Sequence, residues 1–261
     1  MIPTTRLIHL RGKPIAHGAL PLICTPLVGR TREAVRSELE TLLPKKPELI
    51  EWRVDYFDGI GDTGLVIETA REIKAAAGDT PILFTRRSTR EGGEKIGIQE
   101  PEVVKLYEAV CGAGCVDLID CELSSAAADF ARLRAAARAN QILLVGSYHN
   151  FQETPGAAVI EGKFAEAERL GADVAKVAVM PKQPEDVLVL LGATSAASRT
   201  VGVPLISMSM GPLGSLSRMM GWVYGSAVTF AVGKSSSAPG QVPIEELRAV
   251  LSVIRKTVQG G

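Results

Sequence analysis

The sequence carries no excess of either charge. Its 29 basic and 29 acidic residues cancel, and no long block of one sign appears. That excludes the electrostatic footprint of a protein that binds nucleic acid or an anionic membrane, and leaves a small polar ligand as the open class. A run of ~20 apolar residues long enough to span a membrane is also missing, and the opening "MIPTTRLIHLRGKPIAHG" lacks the continuous apolar core of a signal peptide. A cytoplasmic protein is therefore expected. The four cysteines, Cys24, Cys111, Cys115 and Cys121, form no C-x-x-C pair, and the three histidines are too scattered to complete a zinc pattern. We read the cysteines as reduced, buried small residues and expect no metal site. No G-x-G-x-x-G fingerprint follows any apolar run, which argues against a dinucleotide. No linker rich in Pro, Gly or Ser divides the chain, so one domain over 1–261 is expected.

What is present is alternation. Eight β-branched, apolar runs of strand length fall near 21–28, 48–54, 81–86, 116–122, 141–147, 173–179, 203–209 and 225–232. Between and after them stand segments with apolar residues at helical spacing, such as "TREAVRSELETLL", "PEVVKLYEAV" and the closing "PIEELRAVLSVIRKTV". Strand then helix, eight times, is the pattern of an α/β fold of the (β/α)8 TIM barrel type. Residues 1–18 read as a short N-terminal β-hairpin with its turn near Arg11 and Gly12, covering the bottom of the barrel. His9 and His17 fall in it and are read as structural.

In such a barrel the chemistry sits at the C-terminal ends of the strands, above an interior packed with branched apolar side chains. Polar residues inside the strands are therefore informative. In "ELIEWRVD", period-two alternation puts Glu51 and Arg53 on one face with Leu49 and Asp55, and Ile50, Trp52 and Val54 on the other. "LFTRRSTREGGE" brings Arg86, Arg87 and Arg90 to the rim ahead of Glu91, which implies an anionic ligand, and its glycine pair suits a mobile loop. "VDLIDCEL" carries Asp120 and Glu122 toward the mouth. His149 comes straight after the fifth apolar run, and imidazole titrates near neutrality as a proton shuttle must. In "GADVAKVAVMP", Val174, Lys176, Ala178 and Met180 share a face, and neither face of a parallel barrel strand is open to water. Desolvation and nearby arginines favour the free amine at Lys176, a nucleophile for carbonyls. The bland alternative is an ammonium satisfied by Glu51 or Glu122.

Seven stretches, in the order "ELIEWRVD", "LFTRRSTREGGE", "VDLIDCEL", "SYHNF", "ADVAKVAVMP", "SMSMGPLGSLSR" and "SAPGQ", together resemble the type I 3-dehydroquinate dehydratase family. The resemblance runs from about residue 20 to 257. It implies a barrel, a homodimer, no metal or organic cofactor, and syn loss of water from 3-dehydroquinate to give 3-dehydroshikimate, the third step of the shikimate pathway. It further implies Lys176 as the imine-forming lysine, His149 as general base and acid, and Glu91 as the group that orients the histidine. For substrate binding it implies Glu51 and Arg53, the arginines Arg87 and Arg218, apolar walls at Met208 and Phe230, and Ser237 and Gln241 of a closing loop. Thr25 matches a hydroxyl position at the end of the first strand. Arg86, Asn150 and the Pro212-Leu213 pair depart from the family pattern, and none of them removes a catalytic group.

Two rival readings stand beside this one. A class I aldolase is also a barrel with a strand lysine that forms an imine, and would act on a sugar phosphate. A non-catalytic barrel would use the arginine-lined mouth to hold a carboxylic acid.

Overall fold

The computed structural model describes residues 7–16, 18–234 and 237–258. Residues 1–6 and His17 of the expected hairpin lie outside them. The rest forms β1 (Ile8–Leu10) and β2 (Lys13–Ile15), antiparallel, with Ile8 opposite Ile15. Arg11 and Gly12 take φ of +46° and +78°, the left-handed pair that a two-residue hairpin turn needs.

Eight parallel strands follow: β3 (Leu22–Leu27), β4 (Leu49–Arg53), β5 (Ile82–Thr85), β6 (Leu118–Glu122), β7 (Leu143–Asn150), β8 (Val174–Val179), β9 (Leu205–Ser209) and β10 (Val228–Val232). Each neighbour in sequence is a neighbour in the sheet, β10 pairs with β3, and a bridge between Leu205 and Ser226 closes the ring. A two-residue β11 (Val242–Pro243) extends the sheet beside β10. The helices are α1 (Arg32–Leu42), α2 (Thr63–Ala77), α3 (Glu100–Gly112), α4 (Ala127–Ala139), α5 (Ala157–Arg169), α6 (Pro184–Ala197), α7 (Gly211–Met220) and α8 (Ile244–Val258).

Their starts are written locally. Thr31 and Asp62 accept from the Ala34 and Leu65 amides at the heads of α1 and α2, while Gln99 with Glu102 and Gln183 with Asp186 form capping boxes on α3 and α6. Several strands begin two or three residues later than the apolar runs, because Val116, Ile142 and Val203 are buried in front of the ladder rather than paired in it. At the other end β7 outruns its apolar run and takes His149 into the sheet.

Alternation sorts the side chains into two cores. Outward residues such as Ile50, Trp52, Phe84, Ile119 and Val177 pack under the helices, with Trp52 edge-on to Phe57 and Phe84 at 5.6 Å. The inward set is apolar at the N-terminal ends of the strands, where Leu22, Leu49, Leu83, Leu118, Val145 and Val174 form one cluster with Ile8, Leu10 and Ile15 of the hairpin. Above this floor the inward residues turn polar: Glu51, Thr85, Asp120, Ser147 and Lys176 are all buried. The four cysteines are buried and unpaired. Among the described residues, no helix is long and apolar enough to cross a membrane.

Candidate active site

Lys176 is the centre of the polar layer. It stands in β8 opposite Ser147 of β7 and Ile206 of β9 and is 3% exposed. Its ammonium lies 3.3 Å from Asp120 Oδ2 and 3.4 Å from Glu51 Oε1, and 4.9 Å from the ring centre of Phe230. The partners expected from sequence were Glu51 or Glu122. The second is instead Asp120, because Glu122 lies one inward step higher and is taken by Ser88, whose amide and hydroxyl donate to it at 2.7 and 2.6 Å.

Arg87 ties the carboxylates together. Its guanidinium reaches Asp120 at 2.8 Å, Glu122 at 3.1 Å and Glu91 at 3.6 Å, and donates to the Ser147 hydroxyl at 2.9 Å. Burial works against the ionised form of Asp120, but the Arg87 and Lys176 charges prevail and hold its carboxyl below the usual range. Arg53 is committed in the same way. It makes a forked pair with Asp55 at 2.9 and 2.7 Å, and Asp55 also accepts from the Arg87 and Glu94 amides.

Two inward steps above the floor residue Val145 in β7, His149 opens into the same space. Glu91 Oε2 accepts from the His149 backbone N–H and lies 3.0 Å from the ring Nδ1. Burial, reinforced by the charges of Arg87, Lys176 and Arg53, lowers the His149 pKa well below its ordinary value and so favours the neutral ring. Burial also pushes the Glu91 carboxyl up to about 7, against the pull of Arg87. With Nδ1 turned to a carboxylate, Nε2 is the ring nitrogen left for a reacting proton.

Arg218 differs from the other arginines. It is 2% exposed, and among the described residues no carboxylate pairs with it. Its contacts are the Met208 sulfur at 3.6 Å and the Pro239 carbonyl at 3.2 Å, and its Nε has no hydrogen-bond partner. Burial alone brings its pKa down to about 10. A buried cation without a counter-ion is costly, and an anionic ligand relieves the cost.

One cavity gathers Glu51, Arg53, Arg87, Glu91, His149, Lys176, Met208, Phe230, Ser237 and Gln241. Ser237 and Gln241 brace each other through paired 3.3 Å hydrogen bonds, and the Ser237 and Pro239 carbonyls accept from Arg53 and Arg218. Arg218 stands just behind Met208 rather than on the wall. Phe151, Ala178, Met210 and Ala238 complete the lining; all four lie in stretches that carry the resemblance, and Ala178 alone is also named there for sharing a face with Lys176.

Thr25 is a correction. It has the parity of Ile23 and Leu27, which face the helices, so its side chain is buried behind the strand and does not line the cavity; Pro26 has the inward parity. The arginine rim is corrected too. Only Arg87 points inward, while Arg86 pairs with Glu100 and lines, with Arg90, a separate cavity between α3 and α4. The glycine pair gives tight packing rather than slack: Gly92 takes φ +80°, and a Cβ on Gly93 would collide with the Arg87 carbonyl.

A family model described as type I 3-dehydroquinase matches residues 23–258. A 3-dehydroquinate dehydratase from Albidiferax ferrireducens is 57% identical over 99% of this chain and 98% of its own, and one from Aromatoleum aromaticum is 52% identical over 98% of both. The crystal structure of 3-dehydroquinate dehydratase from Geobacillus kaustophilus superposes with a TM-score of 0.95 at 46% identity, covering 99% of this chain and all of that one.

Proposed function

The chain belongs to the type I 3-dehydroquinase family, and from that membership we propose how its own side chains carry the family's reaction. It is a lyase that dehydrates 3-dehydroquinate, a step of the shikimate pathway. The aldolase and the non-catalytic readings give way to this one.

The C2 proton of a β-hydroxy ketone is too weakly acidic for an imidazole to remove quickly, so an electron sink is needed. Lys176 attacks the C3 ketone and, with loss of water, gives a protonated imine conjugated with the developing carbanion. Before that attack the ammonium must release its proton, and Glu51 and Asp120 are the nearest acceptors. His149 Nε2 then takes the C2 proton. The imidazolium so formed is disfavoured by burial and by three nearby cations, which makes it a ready acid toward the departing C1 hydroxyl. One group acting twice suits loss of both from the same side. Hydrolysis of the product imine returns Lys176.

We further propose that Arg218 receives the substrate carboxylate, that Glu51, Arg53 and Arg87 hold its hydroxyls, and that Met208 and Phe230 flank the ring while Ser237 and Gln241 close over it. No organic or metal group takes part in this path. The whole chain, 1–261, acts as one domain, as a homodimer in the cytoplasm.

The observation that carries this reading is that a buried lysine and a His–Glu pair open into one cavity. Borohydride reduction in the presence of 3-dehydroquinate, followed by peptide mapping, tests it. A ligand adduct on Lys176 is expected, and a folded protein that yields no adduct contradicts the assignment.

A further inference from the structure

The pair with His149 occupies only one oxygen of Glu91. Oε2 faces the histidine amide and ring and has Arg87 beyond it. Oε1 has a different partner, the Ser124 hydroxyl, which donates to it at 2.9 Å. Ser124 lies between β6 and α4 and borders the α3–α4 cavity, not the one that holds Lys176. None of the seven sequence stretches that mark the site contains it.

A carboxyl group turns in a broad, two-fold torsional well. One anchored oxygen leaves that rotation open, whereas anchors on both oxygens, from opposite sides, fix the plane. We propose that Ser124 is a positioning residue of this enzyme: its hydroxyl, reaching in from outside the barrel, sets the plane of Glu91 and through it the orientation of the His149 ring. The inference rests on His149 and Glu91 being the proton-transferring pair.

The hydrogen bond has a second effect. A donor to a carboxylate favours the ionised form; burial opposes it, and the groups that otherwise face Glu91 are the His149 ring and amide, Arg87, which favours ionisation, and Glu122 and Asp120, which oppose it. Loss of the hydroxyl leaves all of these in place, so the Glu91 midpoint rises and less of the carboxyl is ionised at neutral pH.

Ser124→Ala in the full chain tests this, with kcat and KM for 3-dehydroquinate measured across pH and the borohydride adduct quantified. We expect kcat to fall about 10-fold, the scale of a lost hydrogen bond to a charged group, with KM changed less than about twofold. The acid limb of the kcat profile should move to higher pH, the Lys176 adduct should form as before, and Ser124→Thr should restore most of the rate. Ser124→Cys keeps the size with a weak donor and should fall between alanine and the parent; it carries the test should the alanine variant not fold. A parental kcat and acid limb in Ser124→Ala overturns the proposal, as does a loss of rate with no pH shift and no rescue by threonine. Glu91→Gln and His149→Ala run alongside. Full turnover in those two defeats the His–Glu reading itself, whereas their loss beside an unaffected Ser124→Ala defeats only the role of Ser124.

Discussion

His149 stands one inward step beyond Ser147, the residue directly opposite Lys176 on the β7–β8 ladder. The imidazole and the amine are thus held by adjacent hydrogen-bonded strands, and their separation does not depend on a loop. Their roles are still separable by substitution.

Lys176→Ala should abolish both turnover and the borohydride adduct while leaving the far-ultraviolet circular dichroism of the barrel intact. Normal turnover in this variant would sink the imine assignment.

His149→Ala should keep the adduct and lose rate. General acid–base catalysis is worth about 10²–10⁴-fold for a positioned group, and the loss should fall in that range. An adduct that vanishes along with the rate would mean that the histidine is needed before the imine forms.

Arg218→Met should raise KM for 3-dehydroquinate at least about 10-fold, since a charge-assisted contact to a carboxylate is among the stronger hydrogen bonds. Because Arg218 is a buried cation with no carboxylate among the described residues to pair with it, the ligand-free variant should melt no lower than the parent. An unchanged KM contradicts the carboxylate role, and a large drop in melting temperature contradicts the cost assigned to the unpaired charge.

Activity should rise with pH through about 7, the midpoint to which burial pushes Glu91, because burial and the nearby cations already favour the neutral ring of His149. Folding stability should follow the opposite course at this one group. Its folded pKa lies above the ordinary 4.5, so the folded state binds the extra proton between those values, and the contribution present at low pH is lost as pH rises through 7. Relative to Glu91→Gln, the parent should therefore lose stability across that window, by at most about 1.4 kcal/mol per pH unit. Urea unfolding of both at pH 5 and pH 8 measures it, and a constant difference counts against it.

Much of this site was legible in the sequence because parity is local. Once Leu49, Glu51 and Arg53 share a face, and Val174, Lys176 and Ala178 another, the barrel supplies their meeting. What parity does not carry is stagger between strands. The sequence offers Glu51 and Glu122 to Lys176, but the tilt of the ladder sets Asp120 beside it and leaves Glu122 to Ser88. Thr25 failed at the same level, since a shift of one residue along β3 exchanges the cavity for the helix layer. Arg86 was misread because a charged side chain beyond a strand end turns outward as readily as inward, and here Glu100 of α3 claims it. Ser124 lies outside every stretch that marks the site because its partnership is made across 33 residues and through a loop.

The hairpin over residues 8–15 gives the barrel a floor. Ile8, Leu10 and Ile15 seal its lower end, and Arg11 at the turn is fastened to the Gly78 carbonyl and to Asp117. The interior is accordingly a vessel stoppered at one end. On the proposed path, water within it becomes a counted reagent: imine formation liberates one molecule, elimination a second, and hydrolysis of the product imine takes one back, beneath the loop that carries Ser237 and Gln241.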